Sequence, residues 1–144
     1  MADDFDRFVE ALQAEIDADV RLHYSPNALD LIKHEPHHGS LPDCTAEGTA
    51  KEASSESMTF FVKIDGTGRI DAIGYETTGC KPALACASQL ALLAKGKMVE
   101  VALSIDGNAI LKAIGRFPAE HQHYADLAVS ALQEALKSRL MQDP

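Results

Sequence analysis

The sequence predicts an α+β fold, with an antiparallel three-stranded sheet packed against several helices. Three observations lead there. Stretches with apolar residues at helical spacing occupy both ends of the chain. A central run, MTFFVKI–DGTG–RIDAIGYETT, reads as two strands rich in aromatic and β-branched residues around turn chemistry, the one clear hairpin. The order is helices, strands, helices without strict βαβ alternation, which argues against a parallel sheet.

The elements follow in order. In residues 3–20 Phe5, Phe8, Val9, Leu12 and Ile16 make one apolar stripe, and Asp3 or Asp4 can cap the start. Ser25-Pro26 is a second helix start, a serine cap with proline at the first helical position. The helix NALDLIKH is expected to end before Pro36. Residues 36–57 carry no period and read as a long loop with one irregular strand, Gly48 to Ala53. Met58 to Ile64 and Arg69 to Thr78 form the hairpin. Gly79 turns the chain into a helix from Pro82 to Ala94, which Gly96 stops. A short helix covers Met98 to Leu103, and Asp106 caps another that ends near Gly115. Phe117-Pro118 breaks the chain before a last helix, Glu120 to Met141. Its buried face is Leu127, Ala128, Ala131, Leu132, Ala135, Leu136 and Leu140.

Composition narrows the function. A chain of 144 residues, 46% hydrophobic and 24% charged, builds one core without disulfide staples. Its net charge of −9 repels phosphate backbones, so nucleic acid is not an expected partner. No apolar run reaches the roughly 20 residues that cross a bilayer. The acidic start MADDFDRFVE does not read as a signal peptide. The expectation is a cytoplasmic protein without membrane partners, whose three cysteines are thiols or metal ligands rather than a disulfide framework.

The chemistry centres on TTGCKPALACAS. Cys80 lies just before a helix N-terminus, where free backbone amides, the helix dipole and the neighbouring Lys81 favour a thiolate. Cys86 would stand about 9 Å further along the same helix, too far for an intrahelical disulfide, and reads as a buried structural thiol. Cys44, in LPDCTAEG, fits no paired zinc-finger spacing and reads as a loop thiol. His34, His37 and His38, and again His121 and His123, cluster without accompanying ligand spacing. Ser54, Ser55 and Ser57 with Glu52 and Glu56 read by default as a solvated polar loop. P-loop, GxSxG and HExxH patterns are absent.

From Tyr24 to Met141 the order of segments resembles the IscU/NifU N-terminal type of iron–sulfur cluster assembly scaffold. YSPNALDLIKHEPHHGSL resembles that family's opening helix and turn through Tyr24, Ser25, Leu29, Asp30, Gly39 and Leu41. Pro36 falls one place late for its Asn-Pro pair. MTFFVKIDGTGRIDAIGYETTGC resembles the hairpin running into a Phe-Gly-Cys motif, and CKPALACASQLALLAKGK the helix after it. Asp106 to Tyr124 resembles the segment leading to a His-Cys motif. The resemblance implies an IscU/NifU-like domain over residues 23–144, with residues 1–22 as an additional amphipathic helix.

It also implies a site. The family's middle cysteine falls on Cys80. Its Cys-Gly-Asp motif falls on Ser54, Ser55 and Glu56, and its His-Cys motif on His123 and Tyr124. Two of three ligand cysteines are thereby replaced. The implied ligands of a [2Fe–2S] cluster or iron, or zinc in its place, are Cys80, His123 and Glu56. Cys44, Cys86 and Tyr124 stand behind them as replacement donors. The implied function is that of a scaffold and not an enzyme, taking sulfur from a cysteine desulfurase and passing a cluster to acceptor apoproteins. The alternative is a degenerate binding module, with zinc or no metal, docking on the assembly machinery. Phe117-Pro118-Ala119-Glu120-His121 replaces the family's Leu-Pro-Pro-x-Lys, losing a basic residue and gaining an acidic one. That change weakens the case for handover by an Hsp70-type chaperone.

Overall fold

The computed structural model describes residues 21–52 and 56–142, with side chains to residue 138, together with residues 4, 6–8, 10, 11 and 18. Most of the expected stripe over 3–20 (Phe5, Val9, Leu12, Ile16), Ser54 and Ser55, and the Leu140 side chain lie outside the described residues. Phe8 and Leu22 are exposed.

The first helix with described bounds is α1, Pro26–His34. Ser25 caps it, its hydroxyl oxygen accepting from the Ala28 N–H at 3.0 Å. Glu35 ends it in a left-handed conformation just ahead of Pro36. Three strands follow, β1 (Ala46–Lys51), β2 (Ser57–Ile64) and β3 (Ile70–Thr77), paired antiparallel in the order β1-β2-β3. The first strand starts two residues earlier than its sequence suggests and is regular. Its pairing runs from Ala46 opposite Val62 to Lys51 opposite Ser57. Its small and polar residues lack the period-two signal that marks β2, where Met58, Phe60 and Val62 are fully buried in alternation. The β2–β3 turn is held by the Asp65 carboxylate, which accepts from the Thr67 N–H, the Thr67 hydroxyl and the Arg69 N–H.

The chain then forms α2 (Lys81–Ala94), α3 (Val99–Leu103), α4 (Gly107–Ile114), a 3-10 turn (Ala119–His121) and α5 (His123–Gln142). Asp106 caps α4 by accepting from the Ala109 N–H at 2.9 Å. The helices cover one face of the sheet. Helix α5 lies along β1 and β2, and α2 along β3, while α2 and α5 touch each other. Phe60, Tyr75, Leu90, Leu132 and Leu136 fill the layer between them, and the Tyr75 hydroxyl bonds to Ser88 inside it.

One contact sets how closely α5 sits on the sheet. A Cβ added at Gly48 would come within 2.1 Å of the Ala135 backbone nitrogen. Backbone cannot step aside as a flexible side chain can. Replacing Gly48 by Ala is expected to destabilise the fold by about 3 kcal/mol, the upper end of ordinary overpacking. Chemical denaturation of native and G48A protein measures it.

Candidate metal and thiol site

The site lies where β1 ends, β2 begins and β3 leads into α2. The strand–helix turn is pinned by Thr77 and Thr78. The Thr77 hydroxyl donates to the Ser57 carbonyl at 2.8 Å, and the Thr78 hydroxyl oxygen accepts from the Ser57 N–H at 2.9 Å. Gly79 is required by close approach, because a Cβ there would lie 2.8 Å from the Ala83 methyl. Cys80 is the N-cap of α2 in extended conformation. Its side chain makes no capping bond, so the sulfur is not consumed by the helix end. The thiol instead donates to the Tyr124 hydroxyl oxygen at 3.4 Å.

Tyr124 is the hub of the site. It is the second residue of α5 and is buried. Burial raises its phenol well above the ordinary tyrosine range, and hydrogen bonding with Cys80 and then Glu56 raises it further. The ring lies 4.1 Å, centroid to centroid, from that of His123. His123 in turn places its Nε2 3.5 Å from Glu52 Oε2. Glu52 and Glu56 flank the connection between β1 and β2, which the Glu52 N–H closes by donating to the Glu56 carbonyl at 2.8 Å. Among the described residues, Glu52, Glu56 and His123 form the one group of three metal-ligating side chains. One ligand atom from each falls within 4.8 Å of the others.

The structure thus brings Cys80, Glu56, His123 and Tyr124 to one place, and adds Glu52. The default of a solvated loop does not describe Glu52 and Glu56, since both are half-buried and turned toward His123. The sequence signal that would have found Glu52 is its symmetry with Glu56 about a short hairpin connection. That symmetry is visible only once β1 is paired with β2.

Other donors are not brought in. Cys44 precedes β1 at the far end of the sheet, beside Thr45 and Ser138. Seven residues of extended chain separate it from Lys51, about 23 Å. The idea that its loop folds over the hairpin to reach Cys80 fails on that register. Cys86 is wholly buried in α2, and burial pushes its thiol up to about 12. A thiol so buried and so reluctant to ionise is not a replacement ligand, in keeping with its reading as a structural thiol. Tyr124 as a tyrosinate ligand meets the same objection, because its surroundings favour the neutral phenol. Lys81, expected to add positive charge near the thiol, is engaged by a carboxylate. Its ammonium donates to Glu35 at 3.0 Å, and that bond holds the Glu35 carboxyl below the usual range. In the other histidine group, His34 lies 3.3 Å from Asp30, and His38 lies 3.2 Å from Glu35 with its ring against Tyr75.

Comparison with known proteins gives this arrangement a family. The NifU-like N terminal domain family matches residues 23–143. The chain belongs to that family. An iron-sulfur cluster assembly scaffold protein IscU of Archaeoglobus fulgidus is 32% identical over 114 residues, covering 78% of this chain and 74% of the relative. The IscU scaffold of Aquifex aeolicus is 28% identical over 120 residues, covering 82% and 76%. Among solved structures, a putative iron-sulfur cluster assembly scaffold protein for the SUF system from Fervidobacterium islandicum superposes with a TM-score of 0.65. It is 20% identical and covers 81% of this chain and 98% of that one. The N-terminal NifU-like protein of Brucella abortus gives 0.52 at 19% identity, covering 85% and 88%. These likenesses establish the IscU/NifU-like α+β fold. No helix among the described residues is long and apolar enough to cross a membrane.

Two measurements follow from the burial of these groups. In native NifU-domain protein an alkylating reagent is expected to label exposed Cys80 first, half-exposed Cys44 more slowly, and Cys86 only after denaturation. Mass spectrometry of the labelled peptides reads the order. Tyr24, Tyr75 and Tyr124 are all held above the ordinary tyrosine value of 10.0, chiefly by burial. A raised folded-state value favours the native state fully below about pH 10 and progressively less above it. Ultraviolet titration is therefore expected to show tyrosinate appearing above pH 10, together with loss of native circular dichroism.

Proposed function

We propose that this chain is a scaffold-type carrier in iron–sulfur cluster assembly, with iron as its cargo at the Cys80, Glu56 and His123 end of the sheet. The observation that carries the reading is the Tyr124 hub. It gathers the thiol, a carboxylate and an imidazole from three elements far apart in sequence. Family membership and IscU-named relatives support the assembly role. In this role Cys80 is the principal sulfur acceptor or ligand, with Glu56 and His123 around it. The partners are a cysteine desulfurase, which supplies sulfur, and acceptor apoproteins, which take the product. The protein is not a turnover enzyme in this reading, because it delivers what it binds. Free thiols at all three cysteines favour a reducing compartment, and we assign it to the cytoplasm.

The residues fit iron better than a conventionally ligated cluster. Clusters are held mainly by soft thiolates, and only one thiol stands at this site among the described residues. The same observation favours a second reading, a binding module of this fold that holds zinc and delivers nothing, since a mixed donor set also suits zinc.

Anaerobic incubation with ferrous iron, cysteine and a cysteine desulfurase, followed by an apoprotein acceptor, separates the two. The first reading expects cluster formation in the acceptor, faster with the protein than without it and reduced at least about tenfold by Cys80→Ser. No acceleration over free iron and sulfide, in a protein that binds zinc, overturns it in favour of the second.

A further inference from the structure

The donors around Tyr124 disagree with the cargo that the relatives' names carry. Three hard or borderline ligands face one thiol. Carboxylates and imidazole suit a single divalent ion, whereas a cluster wants sulfur. We infer that the iron bound here is a single ferrous ion held by Glu52, Glu56 and His123, with Cys80 outside its donor set. The choice of iron rests on the carrier reading above. The donor set itself suits ferrous iron, manganese or zinc alike.

Geometry is the first support. Two ligand atoms about 2.1 Å from a common ion stand about 3.0 to 3.5 Å apart at octahedral or tetrahedral angles. His123 Nε2 and Glu52 Oε2 are 3.5 Å apart, already at the spacing of two ligands of one ion. Glu56 completes the group within 4.8 Å, little more than an ångström beyond that spacing.

Construction is the second. The two carboxylates come from the two ends of one hairpin connection tied by the Glu52–Glu56 backbone bond. The imidazole comes from the first residue of α5, which the Gly48 contact seats on β1.

Charge is the third. Glu52 is only 24% exposed at its side chain, with a second carboxylate beside it. Among the described residues neither pairs with lysine or arginine, and His123 is the only side chain of basic type at Glu52. Two half-buried carboxylates brought together without a fixed cation are the arrangement that a divalent ion relieves.

Cys80 is separated from this set. Its thiol donates to the Tyr124 hydroxyl, and it is not among the side chains whose ligand atoms gather within 4.8 Å of one another. Three protein donors leave the ion's remaining positions open to water, and so to a sulfur species or an acceptor's ligand at handover.

The test uses the full chain, anaerobic and without sulfide, with cobalt(II) as a coloured probe and ferrous iron as competitor. The expected result is one cobalt per chain, displaced by an excess of ferrous iron. Visible ligand-field absorption should appear without a thiolate-to-cobalt charge-transfer band in the near ultraviolet. Glu52→Gln should weaken cobalt binding at least about tenfold, with the melting temperature of the metal-free protein unchanged. Should E52Q fold poorly, His123→Asn, at a half-exposed position, replaces it with the same expectation. A charge-transfer band in the native protein, or native affinity in the variant, overturns the inference. The carrier reading fails separately. Cobalt bound with this signature alongside absent transfer sinks the carrier and keeps the site. Transfer that proceeds with a thiolate band does the reverse.

Discussion

The close approach of α5 to β1 at Gly48 governs the rest of the molecule. Only a glycine lets the Ala135 backbone come so near the strand. From that contact the helix runs back about 18 Å to His123 and Tyr124, and β1 runs on about 13 Å to Glu52. Both therefore finish at the same end of the sheet. Ser138, on the other side of the contact, lies instead beside Cys44. One pairing of helix and strand thus decides which groups share a site and which are kept apart.

At the shared end, Tyr124 converts proximity into chemistry. A phenol that burial keeps neutral can hydrogen-bond to a thiol and a carboxylate at once without adding charge. Glu52, Glu56 and His123 bring their ligand atoms within 4.8 Å of one another, and Cys80 is outside that group.

Much of the fold was legible because strong local signals agreed. Ser25-Pro26, Asp106 and the Asp65–Arg69 turn each carry a specific hydrogen-bond pattern that the structure contains. The alternation of Met58, Phe60 and Val62 is that of a half-buried strand. The first strand was harder to see. Its core contribution is Ala46 and a glycine that admits a helix, so packing density takes the place of hydrophobic alternation. Glu52 was missed for the same reason, since its partner residues appear only when β1 and β2 are in register.

By itself the sequence determined the order of elements, the turn and cap chemistry, and the cysteine at a helix N-terminus. These depend on residues within a few positions of one another. It also carried the family resemblance, which rests on the order of motifs. Tertiary structure alone decided the composition of the site. Cys44 is excluded by strand register and Cys86 by burial, while Glu52 is brought beside His123 by the hairpin and α5. The reason is that ligation requires atoms within a few ångströms. Such distances between residues 28, 44 or 71 positions apart are set by packing and not by any local preference of the chain.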